Sequence, residues 1–181
     1  LTNVDYGIEI IGSSLGASFF RESLIALAVA FLFMGLVVLI YFRTFVPSAA
    51  VILAAFSDMV VALAVINLLD VRIGTAGIAA FLMLIGYSVD TAILLTVRVL
   101  KRKEGTVMDR VISSIKTGMT ETITAIVAVT VAMIVTQSEV IRQIMLILLI
   151  GLIADIFNTW IQNVGLLRMH IERKAKKGVV I

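Results

Sequence analysis

Four acids stand inside stretches otherwise apolar enough to cross a membrane. They are Asp58 in AAFSDMVVAL, Asp90 in LIGYSVDTAILL, Glu121 in GMTETITAI and Asp155 in GLIADIFNTW. A carboxyl at membrane depth costs about 2.5–3.5 kcal/mol on insertion scales, so its retention needs a reason. A single one can be a neutral, hydrogen-bonded packing residue between helices. Four, on four different spans, point to proton or cation exchange. Desolvation favours the uncharged form of a carboxyl, which brings protonation within reach of neutral conditions. A group so poised can take a proton from one side and release it to the other, or stay protonated as a hydrogen-bond donor; the sequence leaves both open.

Polar neighbours accompany each acid. Tyr87 precedes Asp90 by three positions and Thr91 follows it; Asp155, Asn158, Gln162 and Asn163 are spaced to share a helix face; Thr117, Glu121 and Thr124 form another stripe. No nucleophile–base pair, glycine-rich phosphate loop or metal-ligand cluster joins them. The chain has no cysteine and one histidine, His170, so neither an enzyme nor a bound metal or cofactor is expected.

The elements that must position these groups follow from hydropathy. Hydrophobic residues make up 61% and charged ones 15% of the 181 residues, against about 45–50% and about 25% in soluble domains. A bilayer core of about 30 Å takes roughly 20 apolar residues in a helix. Five stretches qualify, at about 23–42, 48–69, 75–97, 120–136 and 141–167, with Pro47 in the first turn of the second. At about 1.5 Å per residue, Asp90 lies roughly 11 Å from one end of its span, Asp58 and Asp155 roughly 15–18 Å, and Glu121 roughly 6 Å or less. The expected fold is an all-α, polytopic membrane bundle of five transmembrane helices. Between the third and fourth spans, 98–119 carries Val107, Met108, Val111, Ile112, Ile115 and Met119 at helical spacing. This reads as one interfacial amphipathic helix, with a solvated helical linker as the alternative. Ala50 with Ala54, and Ala128 with Ala132, are small pairs that allow helices to approach closely.

Lysine and arginine set the orientation. Twelve of the fifteen lie on one side: Arg43; Arg98, Lys101, Arg102, Lys103, Arg110 and Lys116; and Arg168, Arg173, Lys174, Lys176 and Lys177. Only Arg21, Arg72 and Arg142 fall on the other. The basic side is expected in the cytoplasm, which puts 1–22 outside and the basic tail, 168–181, inside. These basic residues flank apolar runs, so they read as topology signals in membrane lipid and not as a nucleic-acid surface. The chain starts at Leu1 with no signal-peptide pattern, and is expected to be part of something longer.

The run IGYSVDTAILLTVRVLKR resembles the signature of the SecF family, membrane components of the protein-export machinery, and is most similar to archaeal members. The carrying residues are Gly86, Val89, Asp90 and Arg98. VDYGIEIIGSSLGASFFRESL is similar to the external lead-in to the second helix of that family. FSDMVVAL is similar to its His-Asp-Val region, with Ser57 in place of the histidine, and GLIADIFNTWIQNVGLLR to its last helix. The resemblance implies a place in the resistance–nodulation–division superfamily, with the five spans as helices two through six of six. It implies pairing with SecD, and action on exported polypeptide beside the Sec translocation channel, driven by a proton or sodium gradient. Two departures are visible: Asp90 takes the register of the SecD aspartate, and Glu121 stands where bacterial relatives carry an arginine assigned to proton relay. The expected functional polar set is Asp90 and Glu121, with Asp58, Asp155, Tyr87, Thr91, Thr124 and Asn158. The alternatives are a small-molecule or lipid transporter of the same superfamily, and a purely structural partner of SecD.

Overall fold

A computed structural model describes residues 13–71, 73–101 and 106–176. The expectations for the lead-in before Ser13, for Arg72, for Arg102 and Lys103, and for the tail beyond Lys176 lie outside the described residues. The fold is all-helical: α1 (Ser13–Phe42), α2 (Phe45–Leu68), α3 (Thr75–Lys101), α4 (Val107–Val135), α5 (Glu139–Phe157), a π-helical turn (Asn158–Asn163) and α6 (Val164–Lys176). Five helical stretches are long and apolar enough to span a membrane, the last running through α5, the π turn and α6 as one rod.

The order of packing explains which acids can meet. α3 and α5 sit centrally, with α2 against one side of both and α4 against the other, while α1 packs mainly on α2. Contact is close because side chains at the crossings are small. Ala54 and Ala55 on α2, Ala80 and Ala92 on α3 and Ala154 on α5 are all buried. At Gly151 a Cβ would come within 2.3 Å of the Leu84 side chain, so α5 presses on α3 there with backbone against side chain. Of the two alanine pairs, Ala50 and Ala54 are buried as expected. Ala128 is exposed on α4, so the second pair does not serve this bundle. Each connection after α1 and α2 turns on a residue of positive φ, Arg43 (52°) and Asp70 (53°). In each the amide closes the preceding turn, on the carbonyls of Leu39 and Asn67 respectively.

One element differs from expectation. The amphipathic segment is not a separate interfacial helix: residues 107–119 and the fourth span are one helix, α4. Its start is set by a capping box in which Thr106 and Asp109 exchange side-chain and backbone hydrogen bonds. Nothing downstream interrupts it. Gly118, the one weak helix former on the way, carries no side chain for another reason: a Cβ would sit 2.2 Å from Cζ2 of Trp160 in the π turn. Two arginines then fasten α4 to α3. Arg98 donates to the carbonyl of Ser113 (3.1 Å) and to Thr117 Oγ1 (2.6 Å), and Arg110 donates back to the carbonyl of Val99 (3.1 Å). The motif arginine at the end of α3 is thus a clamp between neighbouring helices.

Candidate functional site: a buried acid pair and an exposed acid

Asp58 and Asp155 meet at the centre of the bundle, both 0% exposed. Asp58 projects from the middle of α2, where it accepts from Ser88 Oγ on α3 and from Asn158 Nδ2 (2.7 Å) at the start of the π turn. Asp155 accepts from Thr159 Oγ1 (2.7 Å), and Thr91 Oγ1 stands 3.1 Å from both of its oxygens. The two carboxyls are also within hydrogen-bonding reach of each other, a bond that needs a proton on one of them. Thr91 Oγ1 is equally 3.0 Å from the carbonyl of Ser88. Its single proton can turn to that carbonyl when Asp155 is the donor, or to Asp155 when it is not. Every donor in the group is uncharged, and neither acid has a cationic partner among the described residues. The arrangement suits a pair sharing one proton better than two carboxylates.

Helix rotation decides which acids join. On α3, Ser88 and Thr91 lie three apart on the inward face with Leu84, Ala92 and Leu95, all buried. Asp90 is one position before Thr91, about 100° round a 3.6-residue turn, and lies on the exposed face with Gly86, where a Cβ would meet nothing within 4 Å. Val89 is half-buried and packs against both apolar clusters that α3 shares with α2 and α1. The structure brings Asp58 together with Asp155, while Asp90 stands on the exposed face of α3 and Glu121 on neighbouring α4. Glu121 is half-buried on α4, beside an open groove it shares with Lys116, Thr117 and Thr120. Thr124 is exposed and donates to the Thr120 carbonyl (2.7 Å). Tyr87 stands between the two groups, half-buried, within electrostatic reach of Asp155, Glu121 and Asp90, with Thr122 beside its hydroxyl.

Some participants escaped the sequence reading. Ser88 and Thr159 complete the donor set; Thr159, one turn after Asp155, had a signal in the spacing, whereas Ser88 pairs with an acid on another helix. Asn163 is 0% exposed, with neither side-chain amide atom hydrogen-bonded within the described residues; Trp160 Nε1 and Gln162 Nε2 are likewise buried without a partner there. Among the described residues no group of three or more histidines, cysteines and acids is placed to hold a metal.

Residues 2–173 match the family described as "Protein export membrane protein SecD/SecF, C-terminal". A curated protein-export membrane protein SecF of Methanocaldococcus jannaschii is 44% identical over 98% of this chain and 65% of its own length. Those of Thermococcus gammatolerans and Haloferax volcanii are 43% and 40% identical, over 96% and 90% of this chain and 55% and 58% of their own lengths. The chain therefore spans somewhat over half to about two thirds of the relatives it matches. With the match running across all five spans, the acid pair and the Gly86–Arg98 motif alike, this chain belongs to the SecD/SecF C-terminal family of protein-export membrane proteins.

Proposed function

We propose that the chain is the membrane part of an accessory subunit of the Sec export machinery. It works with SecD, beside the translocation channel, to promote gradient-assisted movement of polypeptide across the cytoplasmic membrane. It makes and breaks no covalent bonds, and its C-terminus lies in the cytoplasm, in keeping with the basic residues crowded at that end.

The observation that carries this reading is the exposed face of α3. Asp90 and Gly86 lie one turn apart on a membrane span, open on this chain, with Met83 above them and polar Thr120, Glu121 and Thr124 on neighbouring α4. Hydrocarbon is a poor neighbour for a carboxyl, so this face calls for protein cover, and Gly86 lets a helix of that cover approach closely. SecD is the cover proposed. In this reading Asp90 changes protonation or cation occupancy at the joint between the two subunits, with Glu121 the next acid to hand. Tyr87 links that joint to the inner pair of Asp58 and Asp155. Cysteine at Gly86, in full-length protein co-expressed with SecD, should cross-link to SecD through a short reagent, while cysteine at Phe33 on the far side of α1 should not. Equal cross-linking from both positions, or none from Gly86, would refute the interface.

A further inference from the structure

We infer that Asn163 holds buried water in line with the Asp58–Asp155 pair, a link in the exchange route for the proton the pair shares. The inference rests on reading the pair as proton-sharing, and adds the route and the residue that keeps it open.

The geometry comes from the π turn. In a straight α-helix the eight residues from Asp155 to Asn163 make about 2.2 turns, which would leave Asn163 on the same broad face but about 80° round from the acid. The π turn, Asn158–Asn163, closes its bonds one residue further on and takes up an extra residue. Eight residues then come to about two turns, and Asp155, Thr159 and Asn163 fall into line along one side of the rod. All three are 0% exposed. Asp155 and Thr159 are joined by a hydrogen bond; Asn163 continues the row with an unpartnered donor and an unpartnered acceptor. A buried amide with both ends unpaired is among the more costly groups a membrane interior can hold, and ordered water is the usual way such a group is satisfied. Gln162 Nε2 and Trp160 Nε1 are also buried and unpartnered on the same turn. Packing favours retention of the bend, because Trp160 seats against Gly118 of α4 and fixes the turn from outside. On the α3 side Tyr87 lies within electrostatic reach of Asp155, Glu121 and Asp90; beyond Asn163 the rod carries Arg168, His170, Glu172 and Arg173.

The test uses the full-length protein in complex with SecD, reconstituted in lipid. Infrared difference spectra against Asp58→Asn and Asp155→Asn identify the shared carboxyl proton, and its deuterium exchange is followed after transfer to heavy water. Asn163→Leu, close in size and apolar, should fold at least as stably as the parent yet slow that exchange by about tenfold or more, the rate cost of one lost hydrogen-bonded link. Asn163→Ser should keep exchange fast and covers the case in which the leucine variant does not fold. Hydroxyl-radical labelling of Trp160 should be strong in the parent and weak in Asn163→Leu. Unchanged exchange in the leucine variant, slow exchange in the serine variant, or an unlabelled Trp160 in the parent would each overturn the route. Absence of a carboxyl band sensitive to either asparagine variant would overturn the shared proton and the route together, leaving the Asp90 interface to its own cross-linking test.

Discussion

Replacing Asp58 by alanine removes the acceptor for two donors at once, Ser88 Oγ and Asn158 Nδ2. The cost can be built up group by group. The Ser88 hydroxyl can fall back on a carbonyl one turn earlier in α3, as serine does in helices, so its loss is small. The Asn158 amide has no such retreat and, left unpaired in the bundle, costs about 1–3 kcal/mol. Loss of packing around a fully buried side chain brings the total to about 2–4 kcal/mol. Asp58→Asn keeps the shape, one acceptor oxygen and a permanent donor toward Asp155, so it should cost less than about 1 kcal/mol. Asp58→Ala combined with Asn158→Ala should be milder than the sum of the two by about 1–2 kcal/mol, since the second change removes the stranded donor. Reversible unfolding in mixed detergent micelles would measure all four, reported by Trp160, the one tryptophan among the 181 residues and two positions from Asn158. An alanine variant within about 0.5 kcal/mol of the parent, or strict additivity in the cycle, would refute the network as drawn.

Two further outcomes follow from the packing and the charge pattern. Gly118→Leu must drive the Trp160 ring, 2.2 Å from where a Cβ would stand, out of its seat; overpacking of this kind costs about 1–3 kcal/mol, and a tryptophan emission spectrum unchanged from the parent would contradict it. Cysteines placed at Lys103 and Asp70 should label from opposite faces of the membrane with an impermeant reagent, Lys103 from the cytoplasm, and labelling of both from outside would overturn the orientation.

Much of the architecture was legible because hydropathy over about 20 residues is a strong signal. The five spans needed nothing more, and the turn after each of the first two helices was set by short polar links. The continuity of α4 was harder to read. Lys116, Thr117 and Gly118 look like the end of an amphipathic piece, and only the tertiary position of Trp160 explains the glycine. All four acids were visible as anomalies, but their partners were not. Pairing depends on how each helix is rotated, and Tyr87 and Thr91 flank Asp90 at angles that fit either an inward or an outward carboxyl. The choice is made by Leu84, Ser88, Ala92 and Leu95, whose burial within the bundle turns Asp90 outward. The π turn is written even more faintly. It places Asn158 on Asp58 and Thr159 on Asp155, whereas straight helical spacing groups Asn158 with Gln162 and Asn163 instead.

Gradient-dependent export by Asp90→Asn, in the complete complex with SecD, tests the central claim most directly. Asparagine keeps the size and most of the hydrogen bonding of Asp90 but cannot ionise, and the exposed position means that no buried partner is stranded by the change. Assembly with SecD should survive while gradient-dependent export falls sharply, in keeping with an acid whose protonation or cation occupancy is part of the working cycle. Export at the parent's rate by a fully assembled Asp90→Asn complex would contradict that claim.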